Sequence, residues 1–299
     1  MSGAYSLSAK CPYGVKRVCE ALRVRRSTYY AAASRAKTPS RPAGKRGPRT
    51  KYSDVELTEK IRVVLEGSAF VGEGHRKAWA RLRMMGVRVS KARVLRLMRK
   101  ANLLAPARAR RVLGPRTHEG RITTDQPDQM WGTDGTTTVT TREGQVAVFI
   151  AVDHCTSECV GIHAAKSGTR FEALEPIRQG VRDHFGGIAA DVAVGLSLRH
   201  DHGSANMSEY FQTEIAFLGI ESSPAFVRAP EGNGVAERFI KTLKEQLLWI
   251  YVFATVEELR LALQEFRLRY NREWLVERHG YLTPTQVREK LVASNEVAA

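Results

Sequence analysis

Cysteine is scarce in this sequence: four in 299 residues, Cys11, Cys19, Cys155 and Cys159, with no Cys-x-x-Cys pair among them. That scarcity excludes a disulfide framework and, with no paired histidines at zinc-finger spacing, a structural zinc site. The four read instead as small, mostly buried hydrophobes. No run of 18 apolar residues occurs, which excludes a membrane-spanning helix. The first ten residues lack a long apolar stretch, so no secretory leader is expected and the chain reads as intracellular. Acid is scarce as well, but in one half only. Residues 1–120 carry 29 Lys and Arg against 7 Asp and Glu, net +22, whereas residues 121–299 carry 18 against 24, net −6. A basic half joined to an acidic half is not a generic solubility surface. Lys and Arg release counterions from nucleic acid, so the basic half is the expected footprint of a phosphate-bearing partner.

What is present fits roughly two domains. In residues 1–35, Val15, Val18, Cys19 and Leu22 fall on one helix face, a short break follows, and Ser27 is placed to cap a second helix carrying Thr28, Tyr29 and Tyr30. Helix, turn and capped helix form a helix-turn-helix pattern, although a plain helical hairpin shows the same stripes. Residues 36–51 hold three Pro and two Gly among many basic residues and read as a flexible linker. A second helical module is expected over 52–105. Val55, Leu57, Ile61, Val64 and Leu65 make its first helix, Trp79 and Leu82 point inward from a helix over 73–85, and Gly86 stops that helix. Ser90 then caps a helix from Lys91 to Lys100, with Val94, Leu95, Leu97 and Met98 inward. Lys91, Arg93, Arg96, Arg99 and Lys100 are left for DNA. Together with Arg25 and Arg26 of the first module, these are the candidate DNA contacts. Residues 106–119 read as a second basic linker.

The texture changes at Asp128. A β-branched run from Met130, a continuous apolar run from Val146 to Asp153 and a third run from Val160 predict three strands, the middle one covered on both faces. A helix over about 171–184, a strand from Leu196 to Asp201, a helix capped by Ser208, a short strand reaching Ser222 and a long helix from Gly234 follow. The order β-β-β-α-β-α-β-α over 120–255 implies an α/β fold, a mixed five-stranded sheet flanked by helices. The tail, 256–299, adds a helix from Val256 to Tyr270, a loop over 274–284 and a short final helix.

Three acids sit where chemistry can use them: Asp134 within the first strand, Asp201 at the end of the fourth, and Glu237 in the opening turn of the long helix. A strand, a neighbouring strand end and a helix packed across them can bring three carboxylates together. Such a cluster repels itself unless cations sit within it, and hard oxygen donors select Mg²⁺ or Mn²⁺ over zinc. Two such ions per site would serve an in-line displacement at phosphorus. Taken singly, a strand-end Asp is more often a turn former and a helix-opening Glu a partner of the helix dipole. On the long helix, Glu237, Lys241 and Lys244 share one edge, which can present a carboxylate to metal and two ammoniums to phosphate. Ala236, Phe239, Ile240, Leu243, Leu247 and Ile250 make its apolar face. His200 and His202 flank Asp201 and, with Asn233, are possible auxiliaries; packing or phosphate contact is favoured for the histidines over metal binding.

Asp201 and Glu237 stand 35 residues apart with Lys244 seven beyond, and the chain here resembles the D…D(35)E polynucleotidyl transferases, the retroviral integrases and bacterial transposases. It is most similar to second-frame transposases of the insertion-sequence-three type. The motifs that carry this are Met130-Trp-Gly-Thr-Asp, Asp201-His-Gly-Ser, Asn233-Gly-Val-Ala-Glu, the Phe239–Glu245 stretch, Tyr270-Asn and Gly280-Tyr-Leu-Thr-Pro. They span nearly the whole chain and are specific in combination. Departures occur after Asp134 (Gly-Thr-Thr-Thr), beside Asp201 (His on both sides) and in the Trp274–His279 run.

The resemblance implies a ribonuclease H-like catalytic core preceded by all-α helix-turn-helix modules. It also implies Mg²⁺-dependent cleavage and strand transfer at element ends through Asp134, Asp201 and Glu237, and a Lys244 contact to DNA. The implied partners are double-stranded DNA (terminal inverted repeats and target), further copies of the chain, and an upstream-frame helix-turn-helix protein. The implied setting is the bacterial cytoplasm at the nucleoid. Two other classes are to be discriminated. A non-catalytic DNA-binding regulator would keep the basic half and lose the metal-dependent chemistry. A ribonuclease H-type nuclease would cut RNA–DNA hybrids rather than join DNA.

Overall fold

A computed structural model describes residues 3–37, 51–105, 123–225 and 230–298. The two expected linkers, 36–51 and 106–119, fall almost wholly outside the described residues. The chain divides into a unit of residues 1–51 and a unit of residues 52–299.

The first unit is slight. A two-residue ladder pairs β1 (Tyr5–Ser6) with β2 (Cys11–Pro12), followed by α1 (Gly14–Ala21) and α2 (Arg26–Lys37). Of the stripe expected on α1, only Cys19 is fully buried, and Leu22, just past the helix end, is 60% exposed. The expected cap at Ser27 is displaced. α2 begins at Arg26, and the Arg25 carbonyl accepts the N–H groups of Thr28 and Tyr29. The backbone thus closes the first turn one residue earlier, and Ser27 lies inside it.

The second unit opens with three helices. In α3 (Asp54–Glu66) Ser53 and Glu56 form a reciprocal capping box, Ser53 Oγ accepting from Glu56 N and Glu56 Oε2 from Ser53 N. α4 (His75–Met84) ends before Gly86, whose φ of +76° reverses the chain. α5 (Lys91–Lys100) is capped by Ser90 as expected. Leu57, Ile61, Val64, Ala78, Leu82, Val87, Val94, Leu97 and Met98 form their shared core. Each fully buried aliphatic contributes roughly 1.5–3 kcal/mol.

The remainder is the sheet. β3 (Met130–Thr140), β4 (Gly144–Asp153) and β5 (Cys159–Ala165) form an antiparallel meander. β6 (Ser197–His200) runs parallel to β3, and β7 (Glu221–Pro224) runs parallel to β6, giving the order β5-β4-β3-β6-β7. Helices cover both faces. α6 (Arg170–Phe185) and α7 (Glu209–Phe217) share a core with Trp131, Ala151 and Val160. α8 (Gly234–Leu243) and α9 (Val256–Glu273) share the other core with Val146, Val148, Ile150 and Val152. β4 is apolar along its length because it is covered on both sides. This is the mixed, helix-flanked sheet of a ribonuclease H-like fold.

Two features depart from the expected layout. α8 does not continue as a regular helix: residues Lys244–Leu248 form a π-turn. The widened turn puts Leu247 and Leu248 side by side in the core and leaves Ile250 43% exposed, off the face expected for it. The final helix, α10 (Pro284–Ala298), is 15 residues long rather than short. α9 belongs to the main core through Leu259, Leu263, Phe266 and Tyr270, so no core boundary lies at residue 255.

The loop between α9 and α10 is a docking strip for α4. Leu275 and Tyr281 bury Ala80 between them. Arg76 donates two bonds to Glu277, and Phe70 meets Trp274 edge to face. The π-turn contributes Gln246, which accepts from Val71 N and donates to Val71 O. Among the described residues, no helix is long and apolar enough to cross a membrane.

Candidate active site

Asp134 lies midway along β3 and is half-buried, its Oδ1 accepting from Gly135 N at 2.8 Å. Next to it, Thr133 Oγ1 donates to Ile150 O, which fixes the strand against β4. Asp201 follows the last residue of β6, since the strand stops at His200, and its side chain is exposed. Its Oδ1 accepts from Gly203 N at 2.9 Å and Asn206 Nδ2 at 2.8 Å. A Cβ on Gly203 would lie 2.8 Å from that oxygen, so a side chain there would displace the carboxylate from its present position. Glu237 projects from the first turn of α8.

Asp134 feels the charges of the other two carboxylates. Burial pushes the Asp134 carboxyl up to about 6, the charges of Asp201 and Glu237 push in the same direction, and Gly135 N–H and Lys244 oppose them. Partial shielding from water holds the Glu237 carboxyl above its usual value. Among the described residues no three His, Cys, Asp or Glu side chains converge into a ready ligand set. The carboxylates are therefore neighbours in one field, with Asp134 and Asp201 anchored locally, rather than a closed cage.

Asn233 joins the two elements that carry Asp134 and Glu237. It is buried before α8 and donates Nδ2 to Thr133 O at 2.8 Å, while its Oδ1 has no hydrogen-bond partner among the described residues. A Cβ on Gly132 would come within 2.5 Å of that oxygen, so strand and helix approach closely only because residue 132 is glycine. The histidines beside Asp201 differ from each other. His200 is fully buried; its Nδ1 donates to Asp201 O, its Nε2 accepts from Ser222 Oγ, and burial lowers its pKa. A neutral ring with both nitrogens engaged is a packing residue. His202 is exposed.

Lys244 stands near Asp134, and Lys241 is exposed on the same edge of α8. On α5 the expected DNA contacts split. Arg93 and Arg96 both bind Asp54, and Arg93 also donates to Tyr52 O. Lys91 lies over the Trp79 ring and donates to Tyr281 Oη. Arg99 is exposed on the same helix, and Arg25 and Arg26 are exposed in the first unit. The hydrogen-bonding partners lie 39 to 190 residues away, beyond what helix periodicity reports.

Two residues escaped the sequence reading. Arg199, buried in β6, donates to Ser223 Oγ, Pro224 O and Gly232 O, and so ties the end of β7 to the approach to α8. Asn206, five residues after Asp201, holds the carboxylate in its turn. A polar amide at that offset in a turn was the available signal.

Comparison with known proteins bears on this geometry. Residues 218–284 match the family described as Integrase core domain, and residues 53–111 match the family described as HTH-like domain. The chain is 28% identical over 256 residues to the transposase InsD for insertion element IS2A/D/F/H/I/K of Escherichia coli, covering 84% of the chain and 82% of that protein. The chain is homologous to insertion-element transposases. InsD for insertion element IS2-9 of the K12 strain is likewise 28% identical, over 244 residues, covering 80% of this chain and 77% of its own length. This likeness indicates a DDE-type polynucleotidyl transferase. Among solved structures, the HTLV-2 integrase catalytic core domain in complex with magnesium aligns at 18% identity with a TM-score of 0.41, covering 55% of this chain and 97% of that one. A simian T-cell lymphotropic virus intasome aligns at 18% identity and 0.46, covering 79% and 74%.

Proposed function

We propose that Asp134, Asp201 and Glu237 are the catalytic triad of this DNA transposase and that they hold two Mg²⁺ ions, for which Mn²⁺ can substitute. The observation that carries the assignment is the field at Asp134, raised by both other carboxylates and lowered by Lys244. Three hard oxygen donors that repel one another suit divalent cations, whose charge removes the repulsion. Bound there, the ions would activate an attacking oxygen and stabilise a leaving oxygen at phosphorus.

The chain's own residues do the rest. Asn233 and Gly132 hold α8 against β3, which sets the separation of Glu237 from Asp134. Asn206 and Gly203 orient Asp201. Lys241 and Lys244 bind phosphates along the exposed edge of α8. The reaction is hydrolysis of a phosphodiester at an element end to free a 3′ hydroxyl, then attack of that hydroxyl on a target phosphodiester. The helical regions over 1–35 and 52–105 bind the terminal inverted repeats, with Arg25, Arg26, Arg99 and Lys100 as contacts. Two ends joined in one reaction imply at least a dimer, with an upstream-frame helix-turn-helix protein as a further partner. The setting is bacterial cytoplasm, at the nucleoid.

The test is strand transfer with labelled DNA carrying the element's own ends, with Mg²⁺, comparing the native chain with Asp201→Asn. Joining by the native chain alone supports the triad. Equal joining by both excludes it.

A further inference from the structure

The chain that leaves the π-turn holds four consecutive apolar side chains in solvent. Trp249 is 70% exposed and Val252 78%, with Ile250 and Tyr251 exposed between them. The tip is fixed at both ends. Tyr251 N donates to Leu247 O, while the buried Phe253 bridges to Thr140 at the end of β3 and its carbonyl accepts from Thr141 N. Neither the Trp249 nor the Tyr251 ring takes part in an aromatic or cation–π pair among the described residues, in contrast to Trp79, Trp131 and Trp274.

The π-turn decides which edge of the helix Trp249 joins. At about 100° per residue, a regular helix carries residue 249 about 120° around from Glu237, to the edge of Arg238. The wider turn closes instead from Lys244 O to Trp249 N at 2.9 Å and sets residue 249 over Lys244. Glu237, Lys241, Lys244 and Trp249 therefore follow one another along one edge, which begins at the carboxylates. Twelve residues at 1.5 Å each put Trp249 about 18 Å from Glu237 along the axis, the length of about five base pairs. Cations accompany the tip: Lys241 is exposed, and so is Arg142, whose N donates to Ala254 O beside it. Glu245, the one acid in the sequence from 238 to 252, is half-buried and has a partner within the chain. Four side chains fall far short of the roughly 20–30 residues a side of a stable protein interface. Open aromatic rings in line with cations suit bases carried on a phosphate backbone.

We propose that Trp249, with Tyr251 beside it, contacts DNA bases about five base pairs from the phosphodiester at the carboxylates and unstacks one base step there, as apolar wedges do. Lys241 and Lys244 hold the intervening phosphates. The proposal rests on the reading of the chain as a transposase with this triad, and it gives the π-turn a purpose: it brings an aromatic ring onto the edge that carries the lysines.

The experiment is binding and photocrosslinking of the full chain to an element-end duplex in EDTA, where no strand is cut. 5-Iododeoxyuridine is placed singly at positions from one to about ten base pairs on either side of the terminal phosphodiester. Irradiation is expected to crosslink most strongly at about five base pairs, to the peptide that holds Trp249 and Tyr251. Trp249→Ala, at an exposed position, is expected to weaken duplex binding about tenfold. The slope of log affinity against log salt should stay unchanged, because no phosphate contact is lost, and Trp249→Phe should restore part of the affinity. Crosslinks confined to other peptides, or a Trp249→Ala chain that binds the duplex as the native chain does, would overturn the proposal. So would loss of a DNA-free dimer in sedimentation of Trp249→Ala with duplex affinity unchanged, which would make the tip a contact between copies of the chain. Asp201→Asn is expected to keep the crosslink and lose strand transfer. A crosslink at the tip with strand transfer intact in Asp201→Asn therefore sinks the triad alone, and the converse sinks the tip alone.

Discussion

Asp54 in the helical module and Asp134 on the sheet are the same residue type under opposite rules. Two hydrogen-bonded guanidiniums, Arg93 and Arg96, hold Asp54 down to about 2. Burial and two further carboxylates push Asp134 up to about 6. The module pairs its buried and helix-start acids internally, Arg81 on Glu73 and Arg93 and Arg96 on Asp54. The sheet gathers like charges beside one lysine and leaves them unresolved. Matched charge supports architecture, and unmatched charge marks where a ligand completes the structure.

Exchanging each aspartate for its amide should separate these roles. The largest effect expected is on joining. Asp134→Asn should lower strand transfer by at least about a thousandfold, as loss of a principal transition-state group does, whereas Asp54→Asn should leave the joining step in place. A substantial joining rate in Asp134→Asn would erase the contrast.

Stability should move in the opposite sense. A carboxyl whose folded pKa is raised binds its proton more tightly in the folded chain. Its contribution is therefore full below about pH 4 and is lost as pH rises through about 6. In EDTA at pH 7.5, Asp134→Asn should stabilise the chain, on the order of 1–2 kcal/mol after allowance for partial exposure, and Mg²⁺ should narrow the difference. Asp54 is depressed, so its contribution is present above its ordinary range and is lost as pH falls toward 2. Asp54→Asn should lower the thermal midpoint at neutral pH. Denaturation curves at pH 4 and 7.5 check the sign at Asp134, and curves at pH 2.5 and 5 check it at Asp54; a destabilised Asp134→Asn would break the comparison.

The smallest effects concern salt. Arg99→Ala or Lys244→Ala should each reduce the slope of log affinity for DNA against log salt by about 1, if each binds one phosphate. Arg93→Ala should leave the slope unchanged while costing stability, because its charge is already held by Asp54. A lower slope for Arg93→Ala would show that the ion pair opens on DNA.

Local pattern carried much of this. The continuous apolar run of β4, the serine caps at Ser90 and Ser208, and the acids on β3, after β6 and on α8 were all legible, because each is set by neighbours within a few residues. What period and capping cannot report is a partner far along the chain. Lys91 and Tyr281 are separated by 190 residues, and the stripe of basic residues on α5 looks the same whether its members are free or held. The π-turn was hidden for a related reason. Extrapolating a 3.6-residue repeat past Leu243 brings Ile250 inward, whereas the wider turn turns it out to solvent. Ser27 misled because Arg25 O supplied the closing acceptor that a serine side chain would otherwise provide.

Gln246 holds both polar groups of the Val71 backbone, while Trp274, Glu277 and Tyr281 seat the rest of the adjoining helix. The helical module over 52–105 is therefore not an interchangeable part. Grafting the equivalent helices of another transposase onto this core requires bringing along the residues that match positions 246 and 274–281, and recombination between relatives that breaks the chain between module and tail separates surfaces that must change as one.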